Sequence, residues 1–338
     1  MPKTPRIYDY DSPKSEPHLI NAKNINPYLV DAADLLINTR TNPLSNVPKI
    51  KFGNQPIDGG FLILDRDERN ELIQNCPEAS ILIRPFLGAV EFINGGERYC
   101  LWLKDISPTL IKSIPEVVRR LDAVRKFRLE SLREATRDLA ATPSLFAFIS
   151  HEERSYVVIP SVSSERRNII PIGFLPKEII VSNLCLLIPG ANIFHFGVLT
   201  STMHMAWVRA VCGRLKSDYR YSNGIVYNNF PWPISPNENI KQAIENAAQA
   251  VLDTRAQFPD STLADLYDPL TIPPVLVKAH QALDRAVDAA YGKTNFKTEA
   301  ERVAFLFERY QEITSLLPVE KAAKRKSPKR KDDGTNAA

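Results

Sequence analysis

Residues 193–233 read IFHFGVLTSTMHMAWVRAVCGRLKSDYRYSNGIVYNNFPWP. The first part, through Leu215, is too long for a strand and nearly free of breakers, so it reads as one buried helix. The second alternates aromatic and polar residues around Asn223-Gly224, a dipeptide suited to the left-handed backbone of a tight hairpin. Upstream, short apolar runs at 61–64, 81–86, 98–103, 156–159, 168–172 and 179–188 are bounded by Gly, Pro or polar residues and read as strands. A charged helix-like stretch covers 65–75. Between Pro115 and Ala141, Val117, Val118, Leu121, Val124, Leu129, Leu132 and Leu139 form a broad apolar helix face. Downstream of Pro233, segments 237–258, 273–291 and 298–316 are Ala-rich and helix-periodic.

The fold class expected is α+β, a mixed α/β domain followed by a small all-helical domain. The division runs 1–50 as a lead-in or linker, 51–235 as the mixed domain, 236–318 as the helical domain and 319–338 as a disordered basic tail. The chain has 338 residues, 44% hydrophobic and 24% charged, which excludes wholesale disorder and collagen-like composition. Its net charge of +4 splits into +5 on residues 321–338 and −1 on residues 1–320. A nearly neutral body is not the overall footprint of a nucleic-acid binder, so any such role must come from local clusters.

Several chemistries lack their residues. Four dispersed cysteines, with no CxxC, signal neither a zinc site nor a disulfide framework, and no metal site is expected. There is no signal-peptide core and no membrane-length apolar run, so a cytoplasmic location without membrane contact is expected. No GxG turn accompanies the single Asn26-Pro27-Tyr28, which is a poor half of the loop that holds a flipped adenine. No Glu-x-Lys or Asp-x-Lys pair, phosphate loop or GxSxG elbow occurs. His195 and His204, nine residues apart, read as hydrogen-bonded core residues. No catalytic residue is assigned, and no cofactor is expected in this chain.

Two stretches depart from neutrality. One helix carries Arg119, Arg120, Arg125, Lys126, Arg128 and Arg133, each able to displace a condensed counterion from a duplex, with Glu116, Asp122, Glu130 and Glu134 among them to make a salt-bridged face instead. The other, preceded by Arg209, mixes Arg214, Lys216 and Arg220 with Asn223, Asn228, Asn229 and the aromatics Tyr219, Tyr221, Tyr227, Phe230 and Trp232. That mixture suits groove contacts, or else a core strand whose rings pack. If Ser217 alternates away, Lys216 and Asp218 lie on one side of an extended segment. Lys can donate to guanine O6 or N7 while Asp accepts from cytosine N4, which fits a G·C pair in the major groove.

The phrases NINPYLVDAADLLI, KIKFGNQPIDGGFLIL, EFINGGERYCLWL, FGVLTSTMHMAWVRAVCGRLKSDYRYS, VYNNFPWP and LYDPLTIPPVLVKAHQALDRAVDAAYG, with TEAERVAFLFERY after them, resemble the carboxy-terminal part of MmeI-like restriction–modification enzymes. The likeness runs in order from about residue 20 to 316. It implies a target recognition domain and helical tail that embrace double-stranded DNA opposite an adenine-specific methyltransferase domain or subunit, where S-adenosylmethionine would bind. The chain would start where that methyltransferase ends, as a separate subunit or the product of a split or truncated gene. The resemblance points to side chains just before Tyr-Arg-Tyr-Ser as base readers, hence Lys216 and Asp218, with Asn223 added. Arg119, Arg120, Arg125, Lys126, Arg128, Arg209, Arg214 and Arg220 are the expected phosphate contacts. The alternatives are a protein-interaction scaffold or a remnant without function.

Overall fold

The computed structural model describes residues 5–10, 16–234, 236–294 and 296–315, so the expected disordered tail lies outside the described residues. Two apolar runs, YVVIP and CLLIP, make the centre of the molecule. Strands Tyr156–Pro160 and Cys185–Pro189 pair antiparallel, flanked by Gly173–Leu175 on one side and Lys51–Phe52 on the other. Both central strands are buried along their whole length. Successive side chains of a strand point to opposite faces. Val157, Ile159, Leu186 and Ile188 accordingly enter the main core, whereas Tyr156, Val158, Cys185 and Leu187 form a smaller cluster with Val181.

Beyond that smaller cluster lies a second sheet, ordered Ile180–Val181, Ile83–Leu87, Tyr99–Leu101, Ile63–Leu64, in which only the first pair is parallel. Its core contains Leu64, Leu82, Leu101, Trp102, Val117 and Val124. Helix Arg66–Asn75 starts in a capping box: the Asp65 carboxylate accepts from the Glu68 N–H at 2.8 Å and the Glu68 carboxylate from the Asp65 N–H at 3.0 Å. Helix Pro115–Leu129 opens on its proline but stops twelve residues short of Ala141, with a short helix Glu134–Asp138 and a 3₁₀ turn Leu139–Ala141 after it. The cause is Arg128, whose guanidinium binds the carbonyls of Leu139, Thr142 and Leu145 and so folds the chain back over the helix end. Strand 168–172 is displaced to Gly173–Leu175, and 179–188 is two strands separated by a turn.

The 193–215 stretch is likewise two helices, Ile193–Thr200 and Thr202–Val211, and not one. Three successive hydroxyl residues, Thr200-Ser201-Thr202, offer the backbone side-chain partners that compete with a continuous helix. The Ser201 hydroxyl donates to the Val198 carbonyl at 2.7 Å and accepts from the His204 N–H at 3.3 Å. The Thr202 N–H and hydroxyl both donate to Asp284, at 2.7 and 2.6 Å, so the second helix is capped from the helical end of the chain.

That end follows its periodicity closely, as Glu238–Ala256, Pro274–Ala290 and Glu299–Ser315, with a short Leu263–Leu266 between the first two. It has no separate core. At Gly197 an added Cβ would sit 2.9 Å from Ile244 Cγ2 and 3.0 Å from the Ala248 Cβ, so only glycine lets these helices meet this closely. Trp207 stacks its ring among Phe230, Phe307 and Tyr310 and donates its N–H to the Val226 carbonyl at 3.0 Å. One core therefore runs from the central sheet through the helix pair into the helical end. It fixes the ground on which the next segment, 213–220, stands.

Candidate nucleic-acid interface

The hairpin is present, but upstream of its expected place. Strands Gly213–Leu215 and Asp218–Arg220 pair antiparallel, with Leu215 opposite Asp218, so Lys216-Ser217 is the two-residue turn. Lys216 has φ +57°, the left-handed conformation that such turns require and that costs a side-chain-bearing residue about 1–2 kcal/mol. The Asn223-Gly224 pair instead opens a single wide helical turn, Asn223–Tyr227. There Asn223 Oδ1 accepts from the Gly224 N–H at 2.8 Å. Asn228 and Asn229 are buried and tie the turn to the lead-in: Asn228 donates to the Arg40 carbonyl, and Asn229 donates to the Asn38 carbonyl and accepts from Arg40 Nε.

The aromatics of the stretch are core. Tyr219, Tyr221, Tyr227, Phe230 and Trp232 are all buried, and the Tyr221 hydroxyl meets His204 Nε2 at 3.0 Å. His204 is fully enclosed and burial pushes its pKa down to about 3, so it stays neutral; His195 is similarly held down at about 4. The buried rings set the register of the hairpin. With Tyr219 and Tyr221 inward, Asp218 and Arg220 share the outer face, and Lys216 stands at the tip. The expected pairing of Lys216 with Asp218 on one extended strand is thus corrected, because a turn separates them. Arg214, Lys216 and Arg220 are exposed. Arg214 lies 4.0 Å over the Tyr219 ring and donates to the Ser217 carbonyl at 3.1 Å, which stiffens the turn.

The hairpin is edged by a third strand, Val162–Ser163, with Val162 opposite Arg220 and Ser163 opposite Tyr219. The turn that follows brings Arg166 and Arg167 beside it, and Asp218 Oδ1 accepts from the Glu165 N–H at 3.2 Å. Sequence reasoning missed these two arginines. The Arg-Arg pair is visible at 166–167, but its nearness to residues some fifty positions later is a matter of strand pairing.

The helix cations divide differently. Arg128 is fully buried and all five guanidinium N–H bonds go to backbone carbonyls, of Pro56, Ile57, Leu139, Thr142 and Leu145, at 2.8–2.9 Å. It cannot touch a phosphate from there, which corrects its assignment. Arg120 is turned inward to Glu116, Glu68 and the Phe61 carbonyl, and its side chain is only 12% exposed. Arg209 is tied to Glu299 and the Asn168 carbonyl. Neither is left for a duplex. Arg119 is exposed but held by Glu116, Lys126 lies 4.0 Å from Glu130, and Arg125 is exposed with no ion pair among the described residues.

Among the described residues no cluster of three or more His, Cys, Asp or Glu is placed to hold a metal ion, and no helix is long and apolar enough to cross a membrane. All four cysteines are unpaired.

A buried scaffold thus presents one short cationic hairpin and shares its core with the helical end. The family model for the MmeI target recognition domain matches residues 31–234, and that for the MmeI C-terminal domain matches residues 236–318, so the chain belongs to the MmeI family. It is 44% identical over 292 residues to DNA methyltransferase A of Bacillus subtilis (strain 168), covering 86% of this chain and 33% of that protein. Among solved structures, the type IIL restriction–modification enzyme MmeI in complex with DNA matches with a TM-score of 0.83 at 48% identity, covering 92% of this chain and 41% of that one. The chain spans a third to two fifths of the length of these relatives.

Proposed function

We propose that this chain is the DNA-sequence recognition part of a restriction–modification system, acting in the cytoplasm on double-stranded DNA together with an adenine-specific methyltransferase domain that binds S-adenosylmethionine. The observation that carries the reading is the 213–220 hairpin: its base is anchored by buried Tyr219 and edged by strand Val162–Ser163, its two-residue tip carries Lys216, Arg220 lies on the outer face, and exposed Arg214 lies over the Tyr219 ring. The tip of the hairpin, beyond the reach of the third strand, is the part able to enter the major groove, where base pairs present distinct donor and acceptor patterns.

In this reading Lys216 donates to guanine O6 or N7 from the tip. Asp218 keeps one oxygen on the Glu165 amide and offers Oδ2 to a cytosine amino group. Asn223 contributes at the base of the ribbon. Arg214 and Arg220, with Arg125 and Lys126 of helix Pro115–Leu129, neutralise phosphates, whereas Arg119, held by Glu116, adds little. The lead-in exposes Leu29 and Leu36 at 74% and 69%, apolar surface suited to a methyltransferase contact.

The test is to reconstitute the chain with its methyltransferase and sequence the methylated sites. Lys216→Ala and Asp218→Ala are each expected to relax or change preference at a single base pair, by about 1–3 kcal/mol of discrimination. An unchanged site in both variants overturns the assignment.

A further inference from the structure

We propose that Arg166 and Arg167 form a second phosphate-holding element beside the hairpin, and that Asp268 of the helical end occupies Arg166 until a duplex phosphate displaces it. This deepens the DNA-recognition reading above and rests on it.

The placement is structural. Strand Val162–Ser163 extends the hairpin into a three-stranded sheet, and the turn after it is closed by three hydrogen bonds. The Arg167 N–H donates to the Ser164 carbonyl at 3.2 Å, the Arg166 N–H to Ser164 Oγ at 3.3 Å, and the Glu165 N–H to Asp218 Oδ1 at 3.2 Å. The third bond ties the turn to a proposed base reader, so the spacing between the turn and the ribbon is fixed before any ligand arrives. Two adjacent arginines on a turn whose backbone is held at the edge of the hairpin sheet are placed to reach phosphates flanking a groove entered by the hairpin tip, with guanidinium donors suited to phosphate oxygens.

The electrostatics point the same way. Arg166 Nη2 and Asp268 Oδ2 are 3.9 Å apart, with side chains 66% and 37% exposed. An ion pair this long and this wet contributes little to stability and exchanges readily for a better anion. Asp268 is not free to follow, because its Oδ1 accepts from the Leu270 N–H at 2.9 Å. Arg167 is half-buried and makes no direct ion pair among the described residues. Burial lowers its pKa, opposed by the charges of Asp268 and then Asp218. A cation in that position gains from an arriving phosphate what those two carboxylates supply only at a distance.

The experiment measures binding of the full chain, reconstituted with its methyltransferase, to a labelled mixed-sequence duplex by fluorescence polarisation across a salt series. Arg166→Ala combined with Arg167→Ala is expected to weaken binding about tenfold and to flatten the logarithmic salt dependence by ~1–2. Asp268→Asn keeps the Oδ1 acceptor for Leu270 but removes the competing charge. It is expected to tighten binding about two- to fivefold, a gain that misfolding cannot produce. If the wild-type chain binds and the arginine pair changes nothing, or if Asp268→Asn gives no gain, the proposal is overturned and the recognition reading stands. If the wild-type complex with the methyltransferase shows no salt-sensitive duplex binding, the reading and the proposal fall together.

Discussion

The helix Pro115–Leu129 and the hairpin 213–220 are both short cationic segments in a body of nearly zero net charge, yet they use their cations in opposite ways. On the helix, Arg128 and Arg120 are consumed by the fold, one by five carbonyls and the other by two carboxylates and a carbonyl. On the hairpin, Tyr219 serves the core, Lys216 and Arg220 face outward, and Arg214 lies over the Tyr219 ring while staying exposed. A cation becomes part of a binding surface only when the interior has no use for it. Burial requires such a group to find partners, so those nearest unsatisfied carbonyls are taken first.

The contrast can be broken most severely at Arg128. Arg128→Met removes every donor from a site lined by backbone oxygens and is expected to cost about 3–5 kcal/mol, or to prevent folding. Arg128→Lys is expected to be nearly as damaging, because a lysine has three donors on a flexible stem where the guanidinium offers five in one plane. Urea unfolding followed by tryptophan emission measures both. If either variant keeps wild-type stability while losing duplex binding, the interior assignment of Arg128 is wrong.

The hairpin should behave inversely. Lys216→Gly is expected to hold or raise stability by up to ~1 kcal/mol, since glycine takes φ +57° without strain, while base preference is lost. Thermal melts beside the methylation map separate the two effects. A destabilised Lys216→Gly would mean that the lysine side chain holds the turn, and its role as a reader would have to be given up.

How far these roles could be read in advance follows from what each depends on. The three long helices after residue 236 were legible because their apolar period is local and sufficient. In the central sheet Tyr156–Pro160 was legible as an apolar run bounded by breakers, whereas Gly173–Leu175 was displaced from 168–172, Cys185–Pro189 was merged with Ile180–Val181, and the two-residue Lys51–Phe52 is too short to carry a pattern. The hairpin was misplaced because Asn223-Gly224 carries the stronger turn signal, whereas Lys216-Ser217 carries none. Gly224 is required for another reason: a Cβ there would lie 2.7 Å from Thr39 Cγ2, in the lead-in strapped across it. Tertiary approach overrode local preference. Arg128 was illegible for the same reason, since the carbonyls that bind it come from 56–57 and 139–145 and nothing in RKFRLE marks one arginine as interior. The family likeness pointed to Lys216 and Asp218 but carried no information about the turn between them.

Arg119 is the finest test of the contrast, because it is exposed like the hairpin cations but engaged like the helix ones. Its Nε and Nη2 both donate to Glu116, at 2.8 and 2.7 Å, and the pair sits in solvent with the arginine side chain 71% exposed. An i,i+3 ion pair on a wet helix surface adds little to stability, so Arg119→Ala is expected to leave the unfolding midpoint close to that of the wild type. The carboxylate already satisfies the guanidinium, so duplex affinity is expected to fall by less than about threefold, well below the effect of removing Arg220, which makes no ion pair among the described residues. Glu116→Gln sharpens this. Removing the carboxylate charge would free Arg119 and also loosen Arg120, which shares the same Glu116 oxygen, and duplex binding should rise slightly while stability falls. If Arg119→Ala instead weakens binding as much as Arg220→Ala, then internal pairing does not remove a cation from the interface, and the distinction between the two regions fails.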